Sequence, residues 1–213
     1  GHGTHVAGII GAVRNNNLGL SNASNRIKIL PLKAFQKTFQ PASQFRIKFD
    51  NKVNNANRTV ILFQAIDYAI KRKVDIINFS IGWNKNIDSP TLRSKIAEAQ
   101  KKGIIIVAAA GNDSSEVTTF PCLYENVLCV GASNNHNTLL DMSNRGNGVD
   151  LFAPGDDILS TFPLNASFNN FLNGYDYYSG TSQAAPYVSK VLALLKGLAP
   201  EKDAVNLVRS IPS

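Results

Sequence analysis

The chain has 213 residues, of which 44% are hydrophobic and 17% are charged. This length and composition predict one folded domain with a substantial core, and they exclude a disordered chain. No run of about 18 apolar residues occurs, so the sequence predicts no membrane partner. The net charge is +7. The basic residues are scattered or lie near predicted helix ends, where cations are favoured, so no nucleic-acid partner is indicated either.

The first half of the chain alternates helical and extended patterns. In chain order, the predicted elements are a helix rich in small residues from Gly3 to Val13, a strand from Ile27 to Phe35, an amphipathic helix from Thr59 to Arg72 and a strand from Val74 to Ser80. A polar loop, Arg14 to Leu20, and a basic, irregular segment, Gln36 to Arg58, lie between them.

The second half continues this alternation. Its predicted elements are a helix from Leu92 to Lys102 that Gly103 ends, a strand from Ile104 to Ala110, a strand from Val127 to Ala132, a helical run from Ala184 to Leu195 that ends near Gly197, and a helix from Glu201 to Ile211. The segment Asn134 to Gly148 is predicted to be a surface loop anchored by Leu139 and Met142, and Phe162 to Tyr178 a long aromatic connection. Alternating strands and helices predict an α/β fold with a parallel sheet and helices on both faces, in a single domain over residues 1–213.

Two cysteines, Cys122 and Cys129, stand close together in the chain. Their separation could close a local disulfide, which is typical of secreted domains. Cys129 also lies in an apolar strand pattern, where a buried free thiol is common. The sequence leaves both alternatives open.

Ser182 follows a Gly-Thr pair and stands at the beginning of the helical run. A serine at a helix N-terminus lies beside free backbone N–H groups and the positive end of the helix dipole. Those groups can hold the negative oxygen that forms when a hydroxyl attacks an acyl carbon. An isolated serine at such a place is more often only an N-cap, so further motifs are needed.

Three blocks supply them: His-Gly-Thr-His-Val-Ala-Gly from His2, Ala-Ala-Gly-Asn ending at Asn112, and Gly-Thr-Ser-Gln-Ala-Ala-Pro around Ser182. In this order they resemble the subtilisin-like serine peptidases, over nearly the whole chain except about residues 36–58. The resemblance implies a three-layer α/β/α fold and a serine endopeptidase. It also implies Ser182 as nucleophile, His2 as general base, and the Asn112 amide with the Ser182 N–H as oxyanion donors. The residue matching His5 is not catalytic in that family, so His5 is expected to be a packed helix residue.

The resemblance also implies a peptide-binding cleft. Ser80, Ile81 and Gly82 match the segment that pairs with the substrate backbone, and Ala109, Ala110 and Gly111 match the segment leading to the oxyanion donor. Trp83 stands where the family usually has a small residue, and it either narrows or reshapes the pocket or packs on the surface. The second wall of the cleft would fall within residues 36–58, where no matching strand can be placed.

The family often carries a structural calcium site after the His helix. Asn15, Leu18 and Leu20 are the matching ligands, through an amide oxygen and backbone carbonyls. The other ligands in the family lie upstream of this chain. An ordinary Asn-rich turn is the alternative for this loop.

The Asp of the family's catalytic triad precedes the His, and here only Gly1 precedes His2. The sequence therefore predicts a domain that is incomplete at its N-terminus and nearly inactive as given. A catalytically inactive binding or structural protein on the same fold is the competing hypothesis. An esterase is disfavoured because the Gly-x-Ser-x-Gly elbow lacks its second glycine at Ala184. The resemblance further implies a polypeptide substrate, a monomer, a propeptide and a secreted protein.

Overall fold

A computed structural model describes residues 1–17, 19–21, 24–34, 55–117, 119–164, 174–200 and 202–210. The helices are α1 (His2–Gly11), α2 (Asn55–Lys71), α3 (Pro90–Lys101), α4 (Thr181–Leu198) and α5 (Ala204–Arg209). The strands are β1 (Ile76–Phe79), β2 (Ile105–Ala109), β3 (Val127–Ser133), β4 (Leu151–Pro154), β5 (Ile158–Thr161) and β6 (Tyr175–Tyr178).

Strands β1 to β4 form a parallel sheet in the order β1-β2-β3-β4. Alternate side chains of a strand point to opposite faces, so a strand covered on both faces feeds two cores. In β2, Ile106 and Ala108 belong to the core that includes residues of α2 and α3, whereas Val107 and Ala109 belong to the core that includes residues of α4 and α5. The structure is therefore a three-layer α/β/α arrangement, as predicted.

The predicted strand from Ile27 to Phe35 is wrong over its described part, residues 27–34, which form no strand. A strand needs a neighbour for its backbone hydrogen bonds, whatever its hydrophobic pattern. The sheet ends at β1, which pairs only with β2 among the described residues. Ile29 and Leu32 are accordingly exposed rather than packed in a sheet.

The predicted aromatic connection from Phe162 to Tyr178 also needs correction, because its last residues form β6. That strand pairs antiparallel with β5 in a separate two-stranded sheet. The sheet packs on α1, where the Ser160 hydroxyl donates to the His5 carbonyl at 2.7 Å. Residues 165–173 lie outside the described part of the chain.

Cys122 and Cys129 form a disulfide, which decides between the two alternatives that the sequence leaves open. It joins the turn after Phe120 to β3. Within the described ranges, the helices include none that is both long and apolar enough to cross a membrane.

Candidate active site

The fold brings the residues of the sequence blocks together at the carboxyl end of the parallel sheet. Ser80 follows β1 and Asn112 follows β2 after a short loop, while Ser182 lies in the first turn of α4. Helix α4 packs against β1, β2 and β3 and against α1. Loops at the carboxyl ends of parallel strands are where open α/β sheets place functional groups.

Ser182 and Ser80 exchange two hydrogen bonds across this end of the sheet. The Ser182 hydroxyl donates to the Ser80 carbonyl at 3.1 Å, and the Ser80 hydroxyl donates to the Ser182 carbonyl at 2.8 Å. The second bond has a local reason, because Pro186 lies inside α4 and has no N–H to offer the carbonyl four residues earlier. The Ser80 hydroxyl replaces that missing helical donor.

The Ser80 hydroxyl is itself held by side chains of β1 and α4. Asn78 donates its amide to the Ser80 oxygen at 3.0 Å, and the Ser189 hydroxyl donates to the Asn78 amide oxygen at 2.9 Å. Ser80 and Ser189 are both buried. The sequence alone does not single out Asn78 or Ser189, since nothing in a strand or helix pattern marks two polar residues as facing each other.

The Asn112 side chain is oriented by the N-terminus of α4. Its oxygen Oδ1 accepts from the Thr181 backbone N–H at 2.9 Å and from the Thr181 hydroxyl at 3.1 Å. A backbone N–H can only donate, so the amide orientation is settled by its partner. The Asn112 side chain is exposed, and its Nδ2 is left as a donor without an acceptor among the described residues.

The second donor beside it is the backbone N–H of Ser182. This group is in the first turn of α4, where an N–H has no acceptor within the helix. The neighbouring Gln183 and Ala184 N–H groups contact the Gly180 carbonyl, at 3.0 and 3.3 Å, whereas the Ser182 N–H has no partner in the described ranges. Two donors at the N-terminal end of α4 are thus left for an anionic oxygen.

Gly180 permits the close approach of Asn112 to α4. Its φ is 136°, in a region that favours glycine, and a Cβ there would lie 3.1 Å from Asn112 Nδ2. A side chain at this position would therefore both strain the backbone and crowd the oxyanion donor.

Asn144 holds the loop that carries Asn112, a role that no motif in the sequence indicates. Its Oδ1 accepts from the backbone N–H groups of Asp113 at 2.9 Å and Ser115 at 3.3 Å, and its Nδ2 donates to the Ala110 carbonyl at 3.0 Å. Ser143 and Asn144 are almost fully buried, whereas the predicted anchors of this segment, Leu139 and Met142, are only partly buried. The segment is anchored by polar residues and not by the predicted apolar ones, because backbone groups of a loop need hydrogen-bond partners when they are buried.

His2 is the first residue of α1 and is partly buried. The first turns of α1 and α4 adjoin, since His5 Nδ1 lies 3.5 Å from Gln183 Nε2. The fold therefore places the His2 block next to the Ser182 block, and the role of His2 as base remains a prediction.

In the segment predicted to bind the substrate backbone, some residues already have hydrogen-bond partners within the described protein and others do not. Ser80 is buried and engaged with Ser182, whereas the backbone groups of Ile81 and Gly82 have no partners among the described residues. Trp83 exchanges two backbone hydrogen bonds with Phe120, of 2.7 and 2.8 Å. Its side chain is only 2% exposed and packs in the core against Phe79, so it is not a surface residue.

The segment before Asn112 is engaged within the protein. The Ala110 N–H donates to Val130, the Gly111 carbonyl accepts from the Asn144 N–H, and the Gly111 N–H donates to the Thr181 hydroxyl at 3.1 Å. These contacts position Asn112, and direct contact of Ala109, Ala110 or Gly111 with a substrate remains a prediction. The second wall of the cleft is expected within residues 36–58, of which residues 36–54 lie outside the described part of the chain.

The predicted calcium loop does not by itself form a fitting ligand set. Asn15 is exposed, with a left-handed φ of 57°, and Leu18 lies outside the described residues. Residues 1–34 contain no Asp or Glu, although calcium sites usually include carboxylates. We therefore derive no role for calcium, and binding at Asn15, Leu18 and Leu20 remains a prediction.

Comparisons with known proteins agree with this geometry. The model of the subtilase family matches residues 1–211. The minor extracellular protease Epr of Bacillus subtilis (strain 168) is 35% identical over 208 residues, which are 97% of this chain and 28% of that protein. The major intracellular serine protease of the same strain is 33% identical over 215 residues, 99% of this chain and 59% of that protein. The structure of the protease domain of PatA, solved as a mutant, matches with a TM-score of 0.73 at 28% identity, covering 98% of this chain and 70% of that one. The chain thus spans less than two thirds of the length of these two curated relatives.

Proposed function

Because this chain belongs to the subtilase family, we propose that it is a serine endopeptidase domain in which Ser182 forms the acyl-enzyme. One observation carries the proposal: the Ser182 N–H and Asn112 Nδ2 are both donors at the N-terminal end of α4, and neither has an acceptor among the described residues. Donors left open beside a nucleophile are what acyl transfer requires, because negative charge develops on the carbonyl oxygen.

The proposed reaction follows from these groups. The Ser182 hydroxyl turns from the Ser80 carbonyl to the scissile carbonyl carbon and forms a bond to it as its proton passes to His2. The carbonyl oxygen becomes an anion held by Asn112 Nδ2 and the Ser182 N–H. His2 returns the proton to the leaving amine as the C–N bond breaks, and water then releases the acyl group by the reverse sequence. An extended peptide would pair with the unused backbone of Ile81 and Gly82.

The test is covalent labelling of the protein expressed from its complete natural reading frame. A fluorophosphonate probe should attach to Ser182, as mapped by peptide mass spectrometry, and Ser182→Ala should abolish the label. The same preparation should cleave an internally quenched peptide. A folded protein that binds peptides but shows neither label nor cleavage would favour the binding-protein hypothesis instead.

We also propose that the protein is secreted. The named relatives include both an extracellular and an intracellular protease, so the family alone does not decide. The Cys122–Cys129 disulfide supports an oxidising compartment, since disulfides are rare in the cytosol. Recovery of the protein from the culture medium with this pair oxidised would agree, and a reduced, cell-retained protein would contradict the proposal.

A further inference from the structure

His5 lies fully buried where α1, α4 and the β5–β6 sheet meet. Its ring nitrogen Nε2 lies 2.9 Å from the Ile158 carbonyl oxygen and 3.1 Å from the Asp176 carbonyl oxygen. Carbonyl oxygens only accept, so Nε2 must carry the proton that is shared between them. The ring also stacks on Tyr178, with 4.8 Å between centroids.

The other nitrogen of the ring then has a defined role. Burial lowers the pKa of His5, which favours the neutral ring. In a neutral ring protonated at Nε2, Nδ1 is an acceptor, and it lies 3.5 Å from Nε2 of the buried Gln183 side chain. The amide nitrogen of Gln183 therefore donates to His5 in a long hydrogen bond, which we call the His5–Gln183 bridge.

The bridge joins the two helix turns on which the proposed chemistry depends. Gln183 directly follows Ser182, and His5 lies one helical turn after His2. The α1 end is in turn fastened to β5, because the Thr161 hydroxyl donates to the Thr4 carbonyl at 2.9 Å and the Ser160 hydroxyl to the His5 carbonyl at 2.7 Å. A shift of the bridge would therefore alter the spacing between the base and the nucleophile.

We propose that the His5–Gln183 bridge is a positioning device that sets the spacing between His2 and Ser182, a role that rests on the proposed peptidase function. His5 and Gln183 are positioning residues and need not touch the substrate. Misplacement of reacting groups by about 1 Å can lower rates up to about 10²-fold even when binding is little changed. The predicted signature is therefore a loss in kcat rather than a rise in KM.

Two single variants and their combination test this role. His5→Gln keeps a donor for the Ile158 and Asp176 carbonyls, but its one acceptor oxygen is on the same terminal carbon as that donor and not at the Nδ1 position that faces Gln183. Gln183→Met keeps the length of the side chain but removes its donor. We expect each to lower kcat about tenfold with KM within about twofold. The double variant should be no slower than the worse single variant, because the bridge can be lost only once.

A matched control separates positioning from ordinary packing. Tyr178→Leu removes the stacking partner of His5 but leaves both members of the bridge in place. It should lower Tm without the loss in kcat. If Tyr178→Leu lowers kcat as much as His5→Gln, or if the bridge variants lower Tm but keep kcat, the proposal is overturned.

Failure of the bridge is distinguishable from failure of the proposed function. Labelling of Ser182 by the fluorophosphonate in the unmodified protein tests the function, and it is measured first. Absence of that label overturns both proposals. A labelled, active protein whose bridge variants retain full kcat overturns the bridge alone.

Discussion

At the scale of single residues, a side-chain hydroxyl replaces a backbone hydrogen-bond donor that a proline in α4 removes. Pro186 deprives the Ser182 carbonyl of its helical donor, and the Ser80 hydroxyl replaces it. The same Ser80 oxygen accepts from Asn78. The Ser80 hydroxyl thus satisfies two partly buried groups beside the proposed nucleophile.

This arrangement predicts that Ser80→Ala lowers the free energy of unfolding by an amount that depends on the residue at position 186. The substitution removes the donor to the Ser182 carbonyl and the acceptor of Asn78 Nδ2, and we expect the free energy of unfolding to fall by about 1–3 kcal/mol. Urea unfolding of the variant and the unmodified protein measures it. In a Pro186→Ala background, the restored N–H can donate to the Ser182 carbonyl. Ser80→Ala should therefore lower the free energy of unfolding by less in that background. An equal cost in both backgrounds would contradict the replacement role of Ser80.

At the scale of structural elements, the proposed oxyanion donor Asn112 lies on a loop that is held in place by residues of other segments. The loop after β2 bends at Gly111, whose φ is 107°. The Asn144 side chain holds this loop with three hydrogen bonds to backbone groups of Ala110, Asp113 and Ser115. The tip of the loop then meets α4 through the contact of Asn112 with Thr181. The position of Asn112 is thus set by two segments that are distant in sequence.

Asn144→Leu should therefore slow labelling of Ser182 by the fluorophosphonate. Loss of one oxyanion donor lowers kcat by about 10²–10³, a cost established for subtilisin, itself a subtilase. Because Asn144→Leu displaces Asn112 without removing it, the labelling rate should fall by up to about this factor.

Asn134→Ala is the matched control for Asn144→Leu. Asn134 likewise binds two loop N–H groups, those of His136 and Thr138, but at an exposed turn after β3. It should leave the labelling rate unchanged. Equal rates for both variants would show that Asn144 does not act on Asn112.

At the scale of the whole molecule, the buried His5 couples stability to pH. Burial lowers its pKa in the folded state from 6.5, so below that pH the unfolded chain binds a proton that the folded protein resists. Stability must then fall as the pH decreases from about 6.5 toward the folded pKa, by at most about 1.4 kcal/mol per pH unit for one group. Asp67 acts in a lower window, because Lys71 and Lys95 lower the pKa of its carboxyl below 3.8 and their contribution is lost only on further acidification.

We expect the free energy of unfolding to decrease between pH 7 and pH 5, and the decrease to be smaller in His5→Gln. Urea unfolding at a series of pH values measures both curves. Because the other histidines are unchanged, the difference between the curves isolates His5. Parallel curves across this window would show that burial of neutral His5 does not govern the acid sensitivity.

Local patterns in the sequence determined most helices and strands and indicated the candidate site. Helical and strand periods act over a few residues, so α3, β2 and β3 could be predicted with ends close to those observed. Helix α2 begins at Asn55, before the predicted start at Thr59 and within the segment predicted to be irregular. Ser182 could be predicted at a helix N-terminus from the glycine before it and the apolar run after it. The blocks containing His2 and Asn112 then indicated the family.

Only the tertiary structure decided which distant groups meet. The His5–Gln183 bridge joins residues 178 positions apart, and Asn144 reaches Asp113 across 31 positions. The same holds for three other features. The disulfide needs its second cysteine nearby, and the β5–β6 sheet needs both strands to meet. Residues 27–34 form no strand because no described strand pairs with them. Side-chain period is a local property, whereas a hydrogen bond requires two groups to converge in space, and that convergence is set by how the layers pack.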